Sequence, residues 1–277
     1  MKLNLFLSIK GYPTNGDRNE WKRFREVRDE IFSHTTEKYN QWMTELGFPL
    51  IEQKNNFCIP YSPYLNIYGY PEELDYTDIR PLTENWLRID TFIRKGEQEF
   101  KVPDKLKERD EKTQKLIYLS LGSMGSINIP LMKRLVDILS KSPHKYIVSK
   151  GMFGEKYELP DNMWGQNSVP QTKVLPVVDL VITHGGNNTV TETFSFGKPM
   201  IVMPLFADQF DNAQRIHEKG FGLRIDPYKC TEEELLGGIE KLLNDNDLKK
   251  RLGQAVKRIT ESKSLIRASE LIEKLAC

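Results

Sequence analysis

Short apolar runs alternate with helical segments from Lys115 onward, and this alternation restricts the fold more than any other feature. The clearest runs are residues 116–121, 146–148, 180–182 and 200–203. Strands that read as continuous hydrophobic runs between helices indicate a parallel sheet covered on both faces. We therefore predict an α/β fold. Ligands of such sheets bind at the carboxyl ends of the strands, so candidate site residues should follow the strands.

The first hundred residues have a different pattern. Residues 16–46 are highly charged, with Trp21, Phe24, Val27, Ile31 and Phe32 at spacings of three and four, which predicts an amphipathic helix packed on another element. The apolar run 3–9 is predicted as a strand. Residues 59–71 are rich in proline and tyrosine, which favours loops or short strands.

A charged stretch, residues 94–115, separates the two parts of the chain and is interrupted by Gly96 and Pro103. Charged runs with glycine and proline are typical of linkers. We therefore predict two domains, residues 1–104 and residues 105–277.

Charge and cysteine usage exclude several classes of protein. The 277 residues include 40 basic and 39 acidic ones, so no strong field attracts nucleic acid. The three cysteines are far apart and form no C-x-x-C pair, which argues against a disulfide framework or a zinc site and favours a reducing, cytoplasmic compartment. No stretch approaches the ~18 apolar residues of a membrane span.

Polar residues follow three of the predicted strands. The first set is a glycine and serine turn at 121–126, which lets backbone N–H groups approach a phosphate but also ends many strands for conformational reasons alone. The second is residues 184–192, with His184 and two glycines ahead of a helix predicted to begin near Asn188 or Thr189. Its N-terminus would attract an anion. Alternatively, Thr189 and Glu192 form a capping box.

The third set follows residues 200–203 and contains Asp208, Gln209 and Asn212. Neighbouring carboxylate and carboxamide groups suit the vicinal hydroxyls of a sugar. Asp208 could equally cap the helix that runs to Lys219 and ends at Gly220. Together the three strand ends offer groups for a phosphate, a ribose and a sugar, as a nucleotide sugar requires.

These residues resemble the donor signature of the UDP-glycosyltransferases. The resemblance is carried by His184-Gly-Gly-x-Asn188-Thr189-x-x-Glu192, by Pro204-Leu205-x-x-Asp208-Gln209-x-x-Asn212, and by Val169-Pro170-Gln171 upstream. It implies the GT-B fold, with a complete C-terminal Rossmann-like donor domain and a partial N-terminal acceptor domain. The implied roles are diphosphate binding by Ser123, His184, Asn188 and Thr189, uridine and ribose binding by Val169, Gln171 and Glu192, and sugar-hydroxyl binding by Asp208 and Gln209.

Two positions depart from the family pattern. Many members have a tryptophan, stacked on uracil, where this chain has Ser168, and Trp164 does not match the spacing. The family's catalytic histidine, a general base, has no match before residue 110, where His34 is the only histidine. The catalytic residue is therefore unassigned, and the chain resembles an N-terminally shortened member.

The resemblance implies an enzyme that transfers a hexosyl group, with inversion, from a UDP-sugar to a small lipophilic acceptor, as in detoxification. The UDP-sugar is a co-substrate, and we expect no metal and no cofactor. The alternatives are a catalytically silent nucleotide-sugar-binding protein, or truncated product, that pairs with a complete homologue, and a nucleotide-sugar epimerase of the same fold. A nicotinamide dehydrogenase is disfavoured because no G-x-G-x-x-G follows a strand.

Overall fold

The computed structural model describes residues 11–50, 62–90 and 92–276. The predicted first helix is present as α1, Arg18–Glu45, and Asp17 caps it by accepting a hydrogen bond from the N–H of Asn19. Its predicted packing is wrong for two of the apolar positions, because Val27 and Ile31 are 47% and 65% exposed. The strand predicted at residues 3–9 lies outside the described residues.

Two short parallel strands follow α1, β1 (Asn66–Gly69) and β2 (Trp86–Ile89). The first lies in the proline- and tyrosine-rich stretch, of which residues 62–71 are described, and there the expectation of short strands and loops is confirmed. The last helix of the chain packs on this small sheet, since Ala268 lies in one apolar cluster with Leu87 and Ile89. The C-terminus therefore returns to the N-terminal part, although we assigned it by sequence to the second domain. The division at residues 104 and 105 stays a prediction.

A six-stranded parallel sheet lies at the centre of the C-terminal part of the chain, with its strands in the order β5-β4-β3-β6-β7-β8. The predicted α/β class with a parallel sheet is thus confirmed. The strand order reverses between β3 and β6, and such a switch point opens a crevice at the carboxyl edge. The strands are β3 (Leu116–Ser120), β4 (Lys145–Ser149), β5 (Met163–Gln166), β6 (Leu180–Thr183), β7 (Met200–Val202) and β8 (Gly222–Arg224).

Helices cover both faces of this sheet. Every residue of β3, β6 and β7 is therefore buried, and buried and exposed residues do not alternate along these strands. Large side chains such as Tyr118 and Phe194 are fully buried in the core. The helices are α2 (Asp104–Lys107), α3 (Gly122–Gly125), α4 (Ile129–Ser140), α5 (Gln171–Val174), α6 (Asn187–Ser195), α7 (Gln209–Glu218), α8 (Glu232–Asn244), α9 (Asn246–Glu261) and α10 (Ser264–Ala276).

Charged contacts fix the N-terminal part against the large sheet. Arg258 of α9 donates to Glu73 and to Asp90, each at 2.7 Å. Arg215 of α7 lies 3.7 Å from the Asp75 carboxylate. Because partly buried pairs of this kind are screened less than surface pairs, they hold the N-terminal loops against α7 and α9.

Candidate donor-binding site

Three loops meet at the carboxyl edge of the large sheet. Ser120 and Thr183, the last residues of β3 and β6, are paired, so the loops that follow them start side by side. A Cβ on Gly125 would lie 2.5 Å from Leu205 of the loop after β7, which shows how closely that third loop approaches. The structure therefore brings together the three sets of residues predicted from the strand ends. Ser123 is exposed on α3 at this edge.

His184 lies in a slot between two glycines. A Cβ on Gly122 would lie 2.7 Å from the imidazole Nε2, and a Cβ on Gly186 would lie 2.5 Å from the same atom. Any larger residue at either position would displace the ring, since real Cβ contacts are never this short. Both glycines are thus required by the approach of the imidazole, and Gly122 also has a positive φ of 69°.

Burial lowers the pKa of His184 below its usual value, although a hydrogen bond with the Ser120 backbone and the Asp208 carboxylate act in the opposite direction. The imidazole is therefore neutral at neutral pH. A neutral imidazole can still donate one hydrogen bond to a phosphate oxygen. The positive potential for an anion has to come from elsewhere.

The N-terminus of α6 supplies that potential. The helix begins at Asn187, within two residues of the prediction, and its N-cap Gly186 makes no side-chain capping bond. The alternative of a capping box at Thr189 and Glu192 is wrong, because α6 starts before both residues. Asn188 is exposed in the first turn, whereas Thr189 is buried and its hydroxyl donates to Gln171 at 3.5 Å. The predicted diphosphate role of the Thr189 hydroxyl would therefore require it to leave Gln171.

Glu192 is fully buried and already has partners. Arg94 donates to its two carboxylate oxygens at 2.7 and 3.0 Å, and the Gln171 amide donates to it at 2.5 Å. The pKa of Arg94 is raised, chiefly by its hydrogen bond with Glu192. Sequence reasoning placed Glu192 and Gln171 together but missed Arg94. Nothing in the charged linker distinguishes this arginine from its neighbours.

The residues predicted for the uridine side lie in and after the loop that follows β5. Val169 is buried in the hydrophobic core, and its contact with a uridine stays a prediction. Ser168 is exposed in the loop after β5. The ring of Trp164 packs on Phe100 at a centroid distance of 5.8 Å, so it belongs to the contact between β5 and the linker.

The third loop carries Asp208 and Gln209. Asp208 occupies the N-cap position of α7, but its side chain makes no capping bond, so the capping alternative does not explain its carboxylate. It accepts instead from Asn212 at 3.1 Å. Gln209 is 3% exposed, and its side-chain oxygen accepts from the N–H groups of Leu205 and Phe206. Any contact of Gln209 with sugar hydroxyls is therefore limited to its amide nitrogen.

A family of known proteins matches the part of the chain that contains these loops. The family model described as UDP-glucoronosyl and UDP-glucosyl transferase matches residues 106–260, which is more than half of the chain. The chain belongs to this family. The match contains the three loops and the candidate site residues from Ser123 to Asn212.

Curated relatives and solved structures extend the likeness. The sterol 3-beta-glucosyltransferase of Vanderwaltozyma polyspora is 25% identical over 84% of this chain and 20% of its own length. The UDP-glucuronosyltransferase 1A9 of Homo sapiens is 33% identical over 50% of this chain and 26% of its own length. The solved glycotransferase of kitacinnamycin has a TM-score of 0.72, with 24% identity over 91% of this chain and 66% of its own, which shows the GT-B fold. The chain thus spans about a fifth to a quarter of the two curated relatives.

Groups that could hold a metal ion and helices that could cross a membrane are absent from the described residues of this UDP-glycosyltransferase. No three histidine, cysteine or acidic side chains at residues 11–50, 62–90 and 92–276 are grouped to hold a metal ion. In those same ranges no helix is long and apolar enough to cross a membrane. Cys230 is a buried free thiol, and Cys58 and Cys277 lie outside the described residues.

Proposed function

We propose that this chain binds a UDP-sugar at the carboxyl edge of β3, β6 and β7 and takes part in transfer of its hexosyl group to a hydroxyl acceptor. The observation that carries the proposal is the His184 slot. Two glycines from separate loops leave room for one imidazole at the switch point, directly ahead of the uncapped N-terminus of α6. An anion placed there would meet a hydrogen-bond donor and the positive end of a helix.

The parts of the ligand follow from the positions of the side chains. The diphosphate would lie against His184 and the first turn of α6, near Ser123 and Asn188. The ribose hydroxyls would bind Glu192, in exchange for the Arg94 guanidinium that now occupies both oxygens. The hexose hydroxyls would bind the Asp208 carboxylate and the amide nitrogen of Gln209. Nucleotide and sugar would thus lie across the mouths of neighbouring strands.

The proposed transfer forms one bond and breaks one. The acceptor oxygen attacks the anomeric carbon, the bond from that carbon to the β-phosphate oxygen breaks with inversion, and the acceptor proton passes to a base. The residues of this site would stabilise the charge that develops on the departing diphosphate, and such electrostatic stabilisation often contributes more to catalysis than any other effect. We assign no base: His34, the only histidine of this chain before residue 110, is exposed on α1 and does not match the family's catalytic histidine.

The proposed acceptor is a small lipophilic alcohol. Support comes from the relatives named sterol 3-beta-glucosyltransferase, which match more than three quarters of this chain. Conjugation of foreign compounds is a narrower version of the same proposal, and the relatives named UDP-glucuronosyltransferase match only half of the chain. The comparison between sterols and simple phenols as acceptors would decide between the two.

Calorimetric titration with UDP-glucose, UDP-glucuronic acid and UDP tests the donor site without requiring turnover. We expect saturable binding that is unchanged in EDTA, because no metal is proposed. His184→Ala should weaken it, because a donor to the diphosphate is lost. His217→Ala is the matched control, since His217 is exposed near the far end of α7. Absence of binding by the wild-type chain, or equal loss in both variants, would contradict the proposal.

Transfer of labelled glucose to a sterol and to a simple phenol then tests the reaction itself. Activity that disappears in His184→Ala and persists in His34→Ala would support the proposed enzyme and exclude His34 as the base. Release of a free epimeric sugar in place of a glycoside would contradict it in favour of an epimerase.

A further inference from the structure

Tyr70 reaches from the N-terminal part of the chain into the third loop of the donor site. It follows β1, its side chain is buried, and its hydroxyl donates to Oδ1 of Asn212 at 3.1 Å. These two residues are 142 positions apart in sequence. A second contact lies beside the first, because the Asn187 side chain donates to the Gly69 carbonyl at 3.4 Å.

Asn212 connects Tyr70 with two parts of the candidate donor site. Its amide nitrogen donates to the Gly185 carbonyl at 2.8 Å and to Oδ2 of Asp208 at 3.1 Å. Two acceptors on one side of the amide and the Tyr70 hydroxyl on the other select a single orientation of the group. A flipped amide would place its oxygen against a carbonyl and a carboxylate, which is unfavourable in a buried position.

Tyr70 is itself held in place. The Arg215 guanidinium lies 4.8 Å from the centre of its ring and 5.2 Å from that of Tyr76, and Arg215 also faces the Asp75 carboxylate. Burial raises the pKa of Tyr70 to about 12, so the hydroxyl keeps its proton and remains a donor at neutral pH. The ring and the hydroxyl are both fixed before any ligand binds.

We propose that Tyr70 is a positioning residue for the hexose part of the donor. It orients Asn212, and Asn212 holds the Asp208 carboxylate and the Gly185 turn in the geometry that a bound sugar meets. The inference rests on the proposed function, in which Asp208 binds hexose hydroxyls. Its consequence is that a residue outside the donor signature influences the sugar more than the nucleotide.

The test is the difference between UDP-glucose and UDP binding in Tyr70→Phe, a variant that removes only the hydroxyl. One neutral hydrogen bond corresponds to a change of about fivefold. We expect the Kd of UDP-glucose to rise by about that factor and the Kd of UDP, which lacks the hexose, to stay within about twofold. In an Asp208→Asn background the same substitution should have no further effect on UDP-glucose, since the group that Tyr70 positions has already lost its charge.

Tyr76→Phe is the matched control. It removes the hydroxyl of the other tyrosine beside Arg215, which donates to Glu218 and not to Asn212. We expect both Kd values to stay at the wild-type level, with thermal unfolding recorded for each variant.

Two results would overturn the inference while leaving the proposed function intact. One is an equal rise of both Kd values in Tyr70→Phe, which would indicate a general packing role. The other is an unchanged Kd of UDP-glucose. If the wild-type chain binds neither ligand, the proposed function fails, and the role of Tyr70 fails with it.

Discussion

Removal of the Arg94 side chain should tighten UDP binding. Arg94 donates to both oxygens of the buried Glu192 carboxylate, where we place the ribose hydroxyls. The ribose can bind only after this contact has been broken, so the free energy of the contact is subtracted from the free energy of binding. Arg94→Ala removes the guanidinium before the ligand arrives and leaves only the backbone N–H of residue 94, which donates to the same carboxylate at 3.4 Å.

The magnitude follows from the exposure of the two groups. A hydrogen bond to a charged group contributes about 1.5–3 kcal/mol when it is buried. Arg94 is 49% exposed although Glu192 is 0% exposed, so solvent screening reduces the contact to about 1 kcal/mol. Because about 1.4 kcal/mol corresponds to a tenfold change, the Kd of UDP should fall about fivefold in Arg94→Ala.

Loss of a positive charge beside an anionic ligand should raise the Kd of UDP, which opposes the fall expected from the loss of the internal contact. Lys95→Ala measures this effect of charge alone. Lys95 is exposed and adjacent in the linker, so its removal changes the net charge equally without touching Glu192. We expect a slight rise of the Kd in Lys95→Ala and a fall in Arg94→Ala, both by calorimetry. The fall should diminish with added salt, which already screens the wild-type pair.

A stability measurement completes the test. Without the Arg94 side chain the buried Glu192 carboxylate keeps the Gln171 amide and the backbone N–H of residue 94 but loses its charged partner, which should lower the free energy of unfolding by about 1 kcal/mol. Tighter binding by a less stable variant is the signature of a displaced internal partner. If Arg94→Ala binds UDP more weakly than Lys95→Ala, Arg94 is part of the ligand site and the reasoning is refuted.

Two further predictions concern the His184 slot. Gly186→Ala should weaken UDP-glucose binding about tenfold or more by calorimetry, because its Cβ would displace the imidazole, whereas Gly253→Ala, with open space around the new Cβ, should leave it unchanged. Because burial lowers the pKa of His184, the folded state resists protonation of the ring. In urea titrations the wild-type free energy of unfolding should therefore fall as pH is lowered below about 6.5, and that of His184→Gln should fall less.

The sheet was predictable where continuous apolar runs mark buried strands. β3, β6 and β7 are buried at every residue, and the loops that follow them are the ones that converge. We did not predict β5 and β8, which lie at the two edges of the sheet. Their sequences, Met-Trp-Gly-Gln and Gly-Leu-Arg, have no apolar run, so their conformation depends on pairing with a neighbouring strand.

Contacts within the candidate donor site were predictable between residues close in sequence and not between residues far apart in sequence. Glu192 and Gln171 lie on the signature itself, but their partner Arg94 is 98 residues from Glu192, and Tyr70 is 142 residues from Asn212. Periodicity and spacing describe local structure only. The sequence also did not show which side chains are buried. Val169 belongs to the signature, but its side chain is part of the hydrophobic core.

Ser168 offers a way to test where the uracil lies. It is exposed after β5, at the position where many family members have a stacking tryptophan, and Trp164 already packs on Phe100. Stacking of a base on an aromatic ring contributes about 1–3 kcal/mol in nucleic-acid complexes. A tryptophan added to a loop that has no preformed stacking site should contribute a free energy near the lower end of this range, about 1 kcal/mol. Ser168→Trp should therefore lower the Kd of UDP about fivefold.

Ser168→Leu separates stacking from simple apolar contact, because leucine offers apolar area without an aromatic face. We expect its Kd to remain near that of the wild type. A gain in Ser168→Trp alone would place the base over this loop, between β5 and the Gln171 side chain. Equal values in both variants would mean that the nucleoside lies elsewhere along the edge, and Gln171 and Glu192 would then have to be reassigned together, since they share a hydrogen bond.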